Sequence, residues 1–143
     1  MFKNIFKKEK KDTTDTKSLL LAALLIHAAR MDENYTDIEK KIIKKALMDL
    51  NGINLDQADD LIKLAEKKED ASNQIIEFTK EIKKYSMEYR LKIIEVIWKI
   101  VYSDGISDNY ETNLIRRICG LLYISGKDNG TIKEKVKNFL NNK

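Results

Sequence analysis

The chain has 143 residues, no proline, five glycines, 43% hydrophobic and 35% charged residues, which points to one helical domain and excludes multidomain readings. A single cysteine, Cys119, and a single histidine, His27, exclude disulfide scaffolds and any site that needs two imidazoles. Residues 1–18 hold six lysines against Glu9, Asp12 and Asp15, a net of +3 of the total +4, leaving 21 basic and 20 acidic groups elsewhere. With the body nearly neutral, nucleic acid is not an expected partner.

The first eleven residues place Phe2, Ile5 and Phe6 at helical spacing beside Lys3, Lys7, Lys8, Lys10 and Lys11. Folded as a helix, they would make a short basic anchor for an anionic membrane surface. An exposed terminus of this composition more often stays unfolded, so residues 1–17 are expected to be a basic flexible tail and linker, and residues 18–143 the folded domain. The apolar stretch Leu19 to Ala29 is too short to span a bilayer and lacks the flanks of a secretory signal. The expected location is therefore the cytoplasm, with peripheral membrane contact through the tail as the available exception.

From Ser18 onward the pattern is helical. Apolar spacing predicts helices over about Ser18 to Met31 and Met87 to Ser103, with second helices starting near Asp37 and Asn109. Their starts are marked by Thr36-Asp37-Ile38-Glu39 and Asp108-Asn109-Tyr110-Glu111, each a capping residue with Glu three positions later. Between them, Asn54-Leu55-Asp56-Gln57 caps a helix to about Lys68. Ser72 opens another to about Tyr85, with Ile75, Ile76, Phe78, Thr79 and Ile82 as its buried stripe. A last helix, about Gly130 to Asn141, carries Ile132, Val136, Phe139 and Leu140. The expected fold is thus all-α, a single-domain bundle of about seven helices.

The chain also matches itself at an offset of 72 residues. Leu21, Leu24, Leu25 and Ala29 fall on Ile93, Val96, Ile97 and Val101, and Ile42, Ile43, Ala46, Leu47 and Leu50 on Leu114, Ile115, Ile118, Cys119 and Leu122. Two pseudo-repeated helix-turn-helix halves account for this. Cys119 then occupies an apolar position and reads as a buried, inert thiol. Trp98 reads as core, and His27 stands at a helix edge with no role assigned.

The repeated carboxylates carry the chemistry. Asp32 with Glu39, and Asp104 with Glu111, each bridge a helix end, a short turn and the next helix start, and Asp108 adds a third acid to the second turn. Both Glu residues are explained by capping, but an Asp at a helix C-terminus faces the negative end of the dipole, at a cost of a few tenths to about 1 kcal/mol. Two roles are available to the Asp residues. They accept backbone N–H groups of the turn, or they join the Glu residues as hard oxygen ligands for calcium, magnesium or manganese. The second turn is the better candidate, because Gly105 follows Asp104 where the first turn has Glu33. An EF-hand is excluded, since Ile106 and Ile115 stand where oxygen ligands are required.

The segments HAARMDENYTDIEKKII and WKIVYSDGISDNYETNLIRRICGLLYIS resemble the TerB-like tellurite-resistance family, over about Ser18 to Leu140. The family shows an apolar helix, Asp-Gly, a short turn and Glu opening the next helix; the second segment follows this pattern and the first departs at Glu33. The resemblance implies a helical bundle of two similar halves in a small cytoplasmic bacterial protein, linked with stress and tellurite resistance, whose acidic helix ends bind metal or partners. The same domain type occurs in membrane-anchored DnaJ-like co-chaperones, but a chain without proline writes no His-Pro-Asp turn.

Catalysis finds little support in the residues. Gly120 to Asp128 has five residues between its glycines and Asp where a phosphate-binding loop needs Ser or Thr, and no nucleophile elbow or histidine triad can be assembled. The expectation is a non-enzymatic binding or adaptor domain with a protein partner, using Asp32, Glu39, Asp104, Asp108 and Glu111 as metal or partner contacts. The alternative is a purely structural, co-chaperone-like interaction module in which these carboxylates only cap turns.

Overall fold

A computed structural model of the chain describes residues 17–30, 35–71, 75–104 and 109–141. The basic tail, Asp32 and Asp108 lie outside the described residues. So do the side chains of Asp104 and Glu111, whose backbones are described. The described residues form seven α-helices and no strand: α1 (17–30), α2 (Asp37–Asn51), α3 (Leu55–Ala71), α4 (Ile75–Ile82), α5 (Met87–Val101), α6 (Asn109–Leu121) and α7 (Gly126–Asn141). A 3₁₀ turn, Tyr102–Asp104, extends α5.

Two helices form the centre. In α1 every residue from Leu20 to Ile26 is buried, and α5 buries Ile93, Ile94, Val96, Ile97, Trp98, Ile100 and Val101. A helix apolar on nearly all sides is stable in water only when other elements surround it. The surrounding helices are one-sided: α2 turns Ile43, Ala46 and Leu47 inward, α3 turns Ala58, Leu61, Ile62 and Ala65, and α6 turns Leu114, Ile115, Ile118 and Cys119. The positions that match at an offset of 72 residues are thus buried or half-buried in both segments.

Helix ends follow local chemistry. Thr36 Oγ1 accepts the N–H of Glu39 at 3.2 Å, while Glu39 Oε1 accepts the N–H of Thr36 at 2.9 Å. Asn54 and Gln57 make the same reciprocal pair at α3, at 2.8 and 3.0 Å. Ser86 caps α5 through the N–H of Tyr89. Helix α2 stops at Gly52, whose φ of 66° is the left-handed conformation glycine adopts without steric cost. At the end of α6 the left-handed position is taken by Tyr123, φ 58°. There the Ile124 N–H reaches the Cys119 carbonyl at 2.8 Å and the Tyr123 N–H the Gly120 carbonyl at 3.3 Å.

Three expectations need correction. Helix α7 begins at Gly126, one turn before the expected Gly130, because Ser125 Oγ accepts the N–H of Asp128 at 3.1 Å and caps it there. Helix α4 ends at Ile82 rather than near Tyr85, and Ile76 is exposed. Its buried side chains among the described residues are Phe78, Thr79 and Ile82, and two residues back from Phe78 is the opposite side of a helix; the side chain of Ile75 lies outside the described residues. At the end of α7, Phe139 and Leu140 are 56% and 36% exposed, whereas Val136 is buried.

Polar side chains fasten the outer helices to the centre. The indole N–H of Trp98 donates to Asn129 Oδ1 at 2.8 Å, tying α5 to α7. Asn51 donates to Ser18 Oγ at 2.7 Å and accepts the Tyr89 hydroxyl at 2.8 Å, so one amide joins the end of α2 to the starts of α1 and α5. Arg90 bonds the carbonyls of Tyr85 and Leu122. No helix among the described residues is long and apolar enough to cross a membrane.

Candidate functional site

The packing of α2 on α5 determines which acidic residues meet. The C-terminal Asn51 of α2 is bonded to Tyr89 in the first turn of α5, and both helices line one surface groove, from Ile38 to Leu50 on α2 and from Lys92 to Ser103 on α5 and its 3₁₀ extension. Two helices of 15 residues each, joined at opposite ends and packed along their length, are antiparallel. The start of α2, which carries Glu39, and the end of α5, which carries Asp104, therefore lie at the same end of the pair. The opposite end holds the entry of the chain into α1, where Lys17 Nζ sits over the rings of Tyr85 and Tyr89 at 4.5 and 4.3 Å.

Glu39 is the one expected site residue whose side chain is described, and it is only 3% exposed. Its Oε1 accepts both the N–H and the hydroxyl of Thr36, at 2.9 and 3.0 Å. Those bonds commit that oxygen to the start of α2. Capping is thus realised at Glu39, as its place three residues after Thr36 implies. Asp104 is the last residue of the 3₁₀ turn, and Glu111 the third residue of α6. Among the described residues, no group of three or more His, Cys, Asp or Glu side chains is arranged to hold a metal.

Around Glu39 lies a polar cluster that sequence reasoning did not single out. Tyr35 has the Arg30 guanidinium over its ring at 5.4 Å and Lys40 Nζ at 4.9 Å. Lys40 also pairs with Glu66 of α3 at 3.4 Å. The Tyr35 hydroxyl is buried with no hydrogen-bond partner at standard geometry among the described residues, and burial, reinforced by the nearby Glu66 carboxylate, raises its pKa above the ordinary phenol value. Three helices therefore meet around Tyr35 and Lys40: Arg30 ends α1, Glu39 and Lys40 open α2, and Glu66 comes from α3. Alternation of aromatic, basic and acidic residues at 30, 35, 39 and 40 was visible in the sequence, but the arrival of Glu66 from α3 was not.

Elsewhere, Cys119 is 4% exposed and burial pushes its thiol up to about 11. Trp98 is 1% exposed, in the core as expected. His27 is half-buried at 6.4 Å from the Phe78 ring. Gly120 is helical near the end of α6, and Gly126 to Asp128 form the first turn of α7.

A family model described as Tellurite resistance protein TerB matches residues 18–134. No curated protein and no solved structure gives a significant match.

Proposed function

The chain belongs to the TerB family of tellurite resistance proteins, and on that premise we propose that it is a non-enzymatic binding or adaptor domain of a stress or tellurite-resistance-type response. In this reading a divalent cation is held at its acidic end. The observation that carries the proposal is the antiparallel α2–α5 pair, which puts the start of α2 with Glu39 and the end of α5 with Asp104 at one end of the bundle. The donor chemistry suits calcium, magnesium or manganese, since every candidate from Asp32 to Glu111 is a carboxylate. A bound cation would offset the mutual repulsion of these acids and stiffen the turns that present them. Buried thiol chemistry supports the non-enzymatic part: a cysteine pushed up to about 11 supplies no thiolate near neutral pH.

The capping geometry of Glu39 favours a second reading, in which the acidic residues serve only the turns and the domain binds its partner without metal. Melting temperatures of chelator-treated protein, measured with and without millimolar calcium, magnesium or manganese, separate the two. The cation reading predicts a rise with one ion that is lost in Asp104→Asn; equal melting with every ion leaves the structural module.

A further inference from the structure

We propose that the groove between α2 and α7, floored by α5, is a docking site for an acidic amphipathic helix of a partner protein. The proposal rests on the adaptor reading only in taking the partner to be a protein, and it requires no metal.

The groove is built by three helices that each contribute one stripe. Helix α2 gives Ile38, Ile42, Ala46 and Leu50, spaced i, i+4, i+8 and i+12. That stripe covers about 18 Å at a rise of 1.5 Å per residue, the length of roughly three helical turns. Val96 of α5 forms the floor, and Phe139 and Leu140 of α7 form the far wall. The groove, open to solvent along its length, has a volume of about 1040 Å³. Ile38 and Phe139 are 59% and 56% exposed, and large apolar side chains gathered along one concavity, rather than scattered singly, mark a binding surface. The concave shape and length suit a helix laying one apolar face between two others.

Charge selects the occupant. The rim holds Lys45, Lys92, Lys99 and Lys137 against Asp49 and Glu95. Glu95 is already paired with Lys135 at 2.8 Å, and Lys92 with Glu88 at 3.4 Å. Lys45, Lys99 and Lys137, one from each helix, have no carboxylate of a described residue within ion-pair distance. These three ammonium groups, set against Asp49 as the one rim carboxylate without a described ion-pair partner, leave an excess of positive charge that favours an acidic partner and disfavours a basic one. The chain's own tail, with five lysines in its first eleven residues, has the wrong sign, and a second copy would bring the same lysines face to face. A bilayer is flat where this surface is concave.

The test uses full-length protein in chelator, so that a failed cation titration and a failed docking titration are separate results. The probe is a labelled synthetic helix of about four turns, with leucines at i, i+3, i+4 and i+7 and glutamates on its flanks, read by fluorescence anisotropy. Saturable binding is expected, falling roughly tenfold or more with lysine flanks or with the leucines scrambled off one face. Reversing Lys45→Glu, Lys99→Glu and Lys137→Glu together should invert the preference, so that the lysine-flanked peptide binds the variant. Circular dichroism checks that these surface changes leave the fold intact. The proposal is overturned if neither peptide binds, if the scrambled peptide binds equally, or if charge reversal changes nothing. It is also overturned if anionic phosphatidylserine vesicles bind the wild type, the triple variant abolishes that binding, and neither peptide binds.

Discussion

Replacing Glu39 with alanine tests what burial does to a capping box, because the described residues carry the reciprocal pair twice, at Glu39 and at Gln57, in different surroundings. At α2 the Glu39 carboxylate is 3% exposed and accepts two bonds from Thr36; at α3 the Asn54–Gln57 pair is exposed. Hydrogen bonds to charged groups contribute about 1.5 to 3 kcal/mol each, and release of a buried carboxylate from its desolvation cost offsets part of that loss. The expected net cost of Glu39→Ala is about 2 to 3 kcal/mol. For a chain of this length that is a fall in Tm of roughly 6 to 9 °C. Gln57→Ala, where water replaces the lost partner, should cost about 0.5 to 1 kcal/mol. Glu39→Gln keeps an acceptor at the same place without the charge and should fall between. Urea unfolding of the three variants, followed by circular dichroism, gives the comparison. If Glu39→Ala costs no more than Gln57→Ala, the argument that its burial strengthens the cap is wrong.

Asn129→Ala should cost about 1 to 3 kcal/mol by leaving the Trp98 indole N–H unpaired, and a double-mutant cycle with Trp98→Phe should recover part of that loss. Tyr123→Gly should raise stability by about 1 kcal/mol, since the tyrosine holds a left-handed conformation at 65% exposure; an unchanged or lower urea midpoint would show that its ring, which lies 5.6 Å from Lys83 Nζ, stabilises more than the backbone costs. Burial raises Cys119 from 9.0 to about 11 and Tyr89 from 10.0 to about 12 in the folded chain. The folded state therefore holds these protons more tightly than the unfolded one. Stability should be full below pH 9 and fall as pH rises from there towards 12, and Cys119→Ala should remove the portion between 9 and 11 from a series of urea midpoints.

Much of the fold was legible where the controlling chemistry is local. Thr36 and Glu39 are three residues apart, as are Asn54 and Gln57, so the starts of α2 and α3 could be read from spacing alone. The start of α7 was placed one turn late, at Gly130, although its signal, Ser125 followed three residues later by Asp128, is of the same kind. Nothing in the sequence announces a left-handed Tyr123, because that position ordinarily selects glycine. The exposure of Phe139 and Leu140 beside a buried Val136 was not legible, because periodicity says which residues share a face, and only the tertiary packing says whether another helix covers it. The site divides the same way. Capping at Glu39 follows from its place after Thr36, whereas Glu66 beside Tyr35, and a groove joining residues 38–50, 92–103 and 137–140, depend on how α2, α3, α5 and α7 come together.

The central claim is our proposal that the carboxylates of the two acidic turns, which adjoin the start of α2 and the end of α5 in the sequence, bind a divalent cation. Titration calorimetry of chelator-treated full-length protein with calcium, magnesium and manganese, repeated on Asp32→Asn and Asp104→Asn, tests it most directly. The account predicts saturable binding of at least one ion, weakened in either variant and more severely in Asp104→Asn. No saturable heat from any of the three ions, with melting temperatures unchanged at millimolar concentrations, would contradict it and leave Asp32, Glu39, Asp104, Asp108 and Glu111 as residues of the turns alone.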